Sequence, residues 1–362
     1  MDLAREYVGK GQTCRAERPV EIALALAPNN RFVLRSAARF YLHNGDRIRA
    51  HHILRAAEGV RVDPWLLAAE IAVAGAAKRT SSLIKVGRQL LESKKISPFN
   101  ASELASAIGT LECESGNSKS GKRLIHQALI TPTENAVAQA SWISRRIKNF
   151  QIDPQILLTP RSYEARAWGN MFDGNWEQGV TAADLWLRDE SFSSRPAVFA
   201  SWVATATLTQ YEQAESFAKQ GLKTHPNEFL LLNNLAVALA NMGKVEEAEN
   251  ELRKVDLEDL KKEFIPTFFA TQGLIQFRRD LPAEGRVLYR KAINEAREAN
   301  QYRSAVWALL HYAREEYRFD TLKAERIIKE ALDDLPKLEE AQQDLSLQLY
   351  QRILREARSL TR

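Results

Sequence analysis

Between Phe229 and Val255 the apolar positions fall three and four residues apart, pause, and then resume. Leu232, Leu235, Ala236 and Leu239 share one face of a predicted helix. Gly243 breaks the pattern, and from Glu246 a second helix is predicted, with Ala248, Leu252 and Val255 on its inner face. Ala236 and Ala248 are small where the two helices of such a hairpin would cross, so their backbones can approach closely. A hairpin this short cannot bury its own apolar face and must stack on copies of itself.

The copies are present. A turn residue followed five positions later by a small one recurs as Gly45/Ala50, Gly116/Gly121, Gly174/Gly179 and Gly243/Ala248, with looser versions at Asp280/Gly285 and Phe319/Ala324. Seven residues before each turn stand Ala38, Gly109, Ala167, Ala236, Gly273 and Tyr312. Four residues after each small position stand Leu54, Ile125, Ala183, Leu252, Tyr289 and Ile328. Small residues where helices touch, with apolar residues beside them, define one register along the chain.

In that register 15–28 ends a degenerate first unit, 31–62 and 102–132 are clear units, and 65–97 is a weaker one. One more helix is predicted over 135–147. The stretch 148–160 carries Pro154 and Pro160 without a regular period, and proline disfavours helix at itself and at the residue before it. It reads as an irregular break or hinge between an N-terminal basic block, 1–147, and a C-terminal block, 161–336. Units resume over 161–190, 195–226, 229–260, 266–297 and 305–336. The tail, 337–362, places Leu338, Ala341, Leu345, Leu349, Ile353 and Ala357 at helical spacing, as a capping helix with a charged outer face requires.

This pattern resembles the tetratricopeptide repeat, a helix–turn–helix unit of roughly 34 residues. The best matches are TQGLIQF from Thr271 with GRVLYRKAI from Gly285, and LNNLA with EEAENEL. Pro28, Pro226 and Pro336 fall where the family's repeat-closing proline stands. The family's early tryptophan is replaced throughout, by Leu34, Ala105, Tyr163, Leu232, Phe269 and Ala308. The resemblance covers most of residues 15–336. It implies an all-α fold, an α-α superhelical solenoid of about eight to nine repeats closed by the capping helix. It also implies a binding module without catalysis or cofactor, an adaptor holding a protein or peptide on its concave groove.

Charge changes the picture in one respect. Residues 1–160 carry 23 Lys and Arg against 14 Asp and Glu, a balance of +9, and residues 161–362 carry 28 against 32, a balance of −4. Either the arginines of the first half are a solvated surface, or that half meets an anionic partner such as nucleic acid, which keeps a nucleic-acid-binding or ligand-responsive regulator as the alternative reading. The longest apolar stretch, Trp65 to Ala77, is 13 residues and is interrupted by Glu70, too short to span a membrane. The N-terminal stretch lacks the apolar core of a secretory signal, and two cysteines make no disulfide framework, so a cytoplasmic setting is expected.

No motif for chemistry is complete. Gly116 to Lys122 fits GxxxxGK but lacks the closing Ser/Thr and a preceding strand, and the repeat accounts for both glycines. Arg47 and His52 have an R-x4-H spacing without its companion residues. His51 and His52 are adjacent and point about 100° apart on a helix. Ser82/Lys85 and Ser216/Lys219 are isolated Ser-x-x-Lys pairs. No histidine or cysteine spacing suggests a metal site. Trp142, Trp168, Trp186, Trp202 and Trp307 read as inter-helix packing rather than a ligand box.

The candidate binding residues lie on the first helix of each unit, which lines the groove in the family. In unit 31–62 these are Phe32, Arg35, Arg39 and His43, with Arg31, Arg35 and Arg39 forming a basic ridge. In unit 229–260 they are Asn233, Val237 and Asn241, where an amide can serve a peptide backbone as donor and acceptor. The family's clamp on a peptide C-terminus needs Lys and Asn in consecutive units. The preceding unit offers Phe199 and Val203 instead, so that activity is not carried over.

Overall fold

The computed structural model describes every residue except Lys94, Lys148, Glu339, Thr361 and Arg362, and describes backbone alone for Glu340, Ala341 and residues 357–360. Among the described residues there are twenty α-helices and no strand. Eighteen form consecutive pairs: α1 (Asp2–Gly9) with α2 (Thr13–Leu26), α3 (Arg31–His43) with α4 (Arg47–Ala56), α5 (Pro64–Ala76) with α6 (Ile84–Glu92), and α7 (Pro98–Glu114) with α8 (Ser118–Ala128). After an unpaired α9 (Glu134–Ser144) come α10 (Tyr163–Phe172) with α11 (Trp176–Asp189), α12 (Arg195–Val203) with α13 (Tyr211–Thr224), and α14 (Phe229–Asn241) with α15 (Val245–Leu252). Then follow α16 (Ile265–Arg278) with α17 (Pro282–Glu298), α18 (Tyr302–Glu316) with α19 (Thr321–Asp334), and a last long helix, α20 (Glu340–Leu360). This is the all-α array of stacked helix pairs that the tetratricopeptide resemblance implies.

Two devices recur among these pairs. The turn glycines Gly45, Gly116, Gly174 and Gly243 all sit in the left-handed region, at φ from +77° to +87°. Asp280 takes the same conformation at φ 59°, which Asp tolerates, whereas the Phe319 turn does without it. The second device is a helix crossing at which no side chain fits. A Cβ on Gly121 would lie 2.2 Å from Cys113 Sγ and 2.9 Å from the Gly109 carbonyl oxygen. At the next glycine pair, a Cβ on Gly285 would lie 2.5 Å from Phe277 Cδ2 and 3.0 Å from the Gly273 carbonyl oxygen.

The chain forms two compact units: unit 1 contains residues 1–169 and 185–193, and unit 2 contains 170–184 and 194–362. The core of unit 1 is built on Phe40, Leu54, Leu67, Ile71, Leu104 and Ile108. That of unit 2 is built on Leu239, Phe277, Tyr289, Ile293, Leu309 and Tyr312, with the Tyr289 and Tyr312 rings stacked 5.1 Å apart. The proline-bearing stretch after α9 holds a 3-10 turn, Pro154–Leu158, and belongs to unit 1. It is anchored by Phe150, buried against Ile125, Ala140 and Ile143.

Two details depart from the register. α12 does not run on to a glycine turn but widens into a π-helical turn, Ala204–Leu208, closed by Thr209 at φ 57°. The hydroxyls of Ser201, Thr205 and Thr207 donate to carbonyls one turn back, at Ala197, Ser201 and Val203, and such bonds compete with the regular helical ladder. α20 buries Leu345, Leu349 and Ile353 as the spacing requires; Leu338 is buried just ahead of it, and the side chains of Ala341 and Ala357 lie outside the described residues.

The two glycine roles separate by mutation. Gly121→Ala crowds a crossing, at a cost of about 1–3 kcal/mol. Gly243→Ala meets nothing within 4 Å and pays only for left-handed backbone, about 1–2 kcal/mol. Both are expected to lower the urea midpoint. Asparagine, which accepts φ > 0, is expected to recover much of the loss at 243 and none at 121. Equal behaviour of the two sites in urea melts refutes this division of roles.

Candidate functional site

In unit 1 four caps fix where each first helix begins. Asn30, Asp63, Ser97 and Thr133 accept backbone N–H bonds at the starts of α3, α5, α7 and α9. The second residue of each helix therefore falls at one register position: Phe32, Trp65, Phe99 and Asn135. Three consecutive repeats thus present an aromatic at the same point. The Trp65 and Phe99 rings lie 5.4 Å apart, and Trp65 Nε1 donates to Asn100 Oδ1 at 3.0 Å. The Arg31 and Arg35 guanidiniums lie over the Trp65 ring, at 5.3 and 4.9 Å from its centroid. Phe32 is 65% exposed and Phe99 48%.

The ridge expected from Arg31, Arg35 and Arg39 exists, but each member holds a carboxylate. Arg31 pairs with Asp63 at 3.4 Å and Arg39 with Glu190 at 3.2 Å. Arg35 bonds the nearly buried Glu103, which also accepts from Asn135 Nδ2 at 3.1 Å. Arg35 thus joins Trp65 and Glu103 in one polar and aromatic surface, and Phe32 stands exposed at the same register position one repeat earlier. Arg39 is tied to the 185–193 segment of unit 1, and His43, at the last residue of α3, is half-buried and engaged in interactions of its own.

The predicted residues of α14 lie in a different setting. Asn233 is buried and its Oδ1 accepts from Thr271 Oγ1 at 2.7 Å, while Asn234 Nδ2 donates to Ser201 Oγ at 2.9 Å. Val237 packs half-buried against the unit 2 core, and its carbonyl accepts from Asn241 Nδ2 at 2.8 Å. Asn241 Oδ1 accepts from Arg278 Nη2 at 2.8 Å and from Arg314 Nη2 at 3.4 Å. Both arginines converge on the fully buried Glu315: Arg278 Nη1 lies 2.8 Å from Oε2, and Arg314 Nε donates to Oε1 at 2.9 Å. Burial opposes the charge on Arg314, but Glu315 together with Tyr211, Tyr289 and Glu356 outweighs it and the pKa is raised; on Arg278 burial prevails and the pKa falls. Asn233, Val237 and Asn241 thus form part of a packed network, whereas Phe32 stands open.

Trp65, Phe99, Asn100 and Glu103 escape a reading of single units. The signal that finds them is the capping residue: once Asn30, Asp63 and Ser97 set the starts, the aromatics align. Arg278, Arg314 and Glu315 carry no such local signal. The incomplete motifs resolve into packing: Gly116 makes a turn, Gly121 a crossing, His51 Nε2 sits 3.0 Å from the buried Glu70, and Ser82 accepts from Arg55 at 2.7 Å. Trp202 and Trp307 stack at 5.5 Å within unit 2. Among the described residues no three His, Cys, Asp or Glu side chains converge as a metal site would need, and no helix is long and apolar enough to cross a membrane.

No protein-family model matches the chain, and no curated protein matches it. Solved structures do. Yeast Tom70 aligns over 99% of this chain and 88% of its own, at 13% identity and a TM-score of 0.40. A tetratricopeptide repeat protein from Parabacteroides merdae aligns over 83% and 98%, at 12% and 0.33. The human IFIT1 dimer with PPP-AAAA aligns over 98% and 81%, at 14% and 0.40.

His311 supplies a pH test of the unit 2 network. It is densely surrounded, 6.4 Å from the Trp307 ring centre, and burial, reinforced by Arg314 and Arg352, holds its pKa well below 6.5. The folded protein therefore keeps it neutral while the unfolded chain takes up a proton. Its stabilisation is present above the unfolded pKa of about 6.5 and is lost below it, by up to about 1.4 kcal/mol per pH unit. Urea midpoints at pH 7.5 and 5.5 are expected to differ less in His311→Gln than in the unmodified chain. An unchanged difference excludes His311 as the titrating group.

Proposed function

We propose that this protein is a non-catalytic interaction scaffold that binds a protein segment along the first helices of unit 1. The reading rests on the aromatics in register at Phe32, Trp65 and Phe99, two of them well exposed. Large apolar groups left in water at repeated positions characterise interaction surfaces. Their surroundings suit an extended chain: Asn100 is oriented by Trp65, Arg35 and Asn135 are fixed by Glu103, and backbone amides of a bound segment would find donors and acceptors already in place. Cys14 and Cys113 are free thiols, which fits the cytoplasmic setting this reading assumes.

An anionic partner at the basic half is the competing reading. Arg31, Arg35 and Arg39 already hold Asp63, Glu103 and Glu190, so a phosphate would have to displace carboxylates to reach the ridge. That weakens it.

Display of random peptides against the purified chain is expected to enrich binders that lose at least tenfold in affinity on Phe32→Ala with Phe99→Ala, with unchanged far-UV circular dichroism. Failure to enrich any peptide, or binders indifferent to the double variant, refutes the assignment. Single-stranded RNA binding that weakens steeply with salt and with Arg35→Glu supports the competing reading instead.

A further inference from the structure

The first helices of unit 1 form one layer, in which α3 packs on α5, α5 on α7 and α7 on α9. The second helices form another: α4 packs on α3 and α5, α6 on α5 and α7, and α8 on α7 and α9. Charge separates between the two layers. α3, α5, α7 and α9 together carry three Lys and Arg against five Asp and Glu, whereas α4, α6 and α8 carry eight against one, Glu92. The repeat does not require this, since α13, α15, α17 and α19 of unit 2 carry nine against thirteen. The positive balance of the N-terminal half thus lies largely on the second-helix layer, behind the aromatic ladder.

Part of that charge is answered from neighbouring helices. Arg49 holds Glu17 and Glu21 of α2, Arg55 lies 3.6 Å from Glu70 of α5, and Arg88 holds Glu112 of α7. The rest is not answered. The exposed side chains of Arg47, Lys85, Lys119 and Arg123 form no ion pair or hydrogen bond among the described residues. On α8 the excess is greatest. Lys119, Lys122, Arg123 and His126 fall at i, i+3, i+4 and i+7, so they share one stripe, and Lys119, Arg123 and His126 are exposed. Lys122 Nζ, half-buried, reaches only the Asn149 carbonyl at 3.4 Å among the partners with a measured bond. Like charges at such spacings repel, and the first turn of a helix, where Lys119 stands, disfavours a cation. An anion laid over the stripe removes both penalties.

We propose that the second-helix face of unit 1 binds double-stranded nucleic acid through its phosphates, without reading its sequence. The composition of the face selects this partner. Single strands are held by stacking bases on aromatic rings, and α4, α6 and α8 contain no Phe, Tyr or Trp. Attachment to a membrane surface draws on buried apolar area beside the cations, and among the described residues of these helices Ile48 is the one large apolar side chain left exposed. A duplex offers what remains, a dense row of phosphates that Lys and Arg can hold unaided. The face goes beyond the peptide surface of the first helices and lies on the other layer. It is also distinct from the ridge of Arg31, Arg35 and Arg39, whose guanidiniums already hold carboxylates.

The test is a titration of the full chain onto a fluorescent duplex of mixed sequence, about 24 base pairs long, with the single strand and phosphatidylserine vesicles alongside. Duplex affinity is expected to fall steeply between about 50 and about 200 mM salt. Lys119→Glu with Arg123→Glu is expected to weaken it at least tenfold, with unchanged far-UV circular dichroism, since glutamate suits the start of a helix. Lys223→Glu with Lys329→Glu makes the same change of net charge on α13 and α19 of unit 2, and is expected to weaken it less than threefold. Phe32→Ala with Phe99→Ala is expected to leave it unchanged, which separates this proposal from the peptide surface. Absence of duplex binding at low salt overturns the proposal. Equal losses in the two charge variants also overturn it, because net charge alone then explains the binding. Tighter binding of the single strand or of the vesicles than of the duplex overturns it in favour of that partner.

Discussion

How closely two helix backbones can pass governs everything else in both units. At Gly109/Gly121 and Gly273/Gly285 the carbonyl of one helix lies where a side chain on the other would begin. That approach brings the flanking apolar residues together, Ile125 over Gly109 and Tyr289 over Gly273, and so fixes rotation as well as separation. Once rotation is fixed, the outward side of each first helix is fixed too. The surfaces that could meet a partner are set by residues that never touch one.

The same constraint explains what could be read from the chain alone. Small residues at a constant offset from turn glycines give the helix pairs, because both devices act over a dozen residues. Partners of the charged residues could not be read that way. Arg35 finds Glu103 68 residues away, and Arg314 reaches Asn241 across 73. Such pairings depend on how units stack, which local spacing does not specify. The π-helical turn after α12 was also illegible, since Thr205 and Thr207 look like ordinary helix interior until their hydroxyls are seen on carbonyls a turn back. The aromatic ladder lies between these cases. It is legible in the caps and not in the apolar period.

The two first-helix faces use the same geometry for different ends. In unit 1 the polar groups sit at the margin of exposed rings, held in pairs that leave Phe32 and Phe99 to solvent. In unit 2 they sink into the packed interior as Asn241, Arg278, Arg314 and Glu315, and α20 packs against α18, which carries the last two. Removing one member of such a buried network strands its neighbours, so substitutions at these four positions should be strongly non-additive.

The ladder in unit 1 also sets a ruler. Packed helices stand about 8–10 Å apart, and an extended polypeptide advances about 3.3 Å per residue. The helices of the ladder thus stand about three extended residues apart, while the Trp65 and Phe99 rings lean together to 5.4 Å. A segment bound there as proposed would be read by the spacing of its apolar side chains, so segments of quite different composition could share the surface.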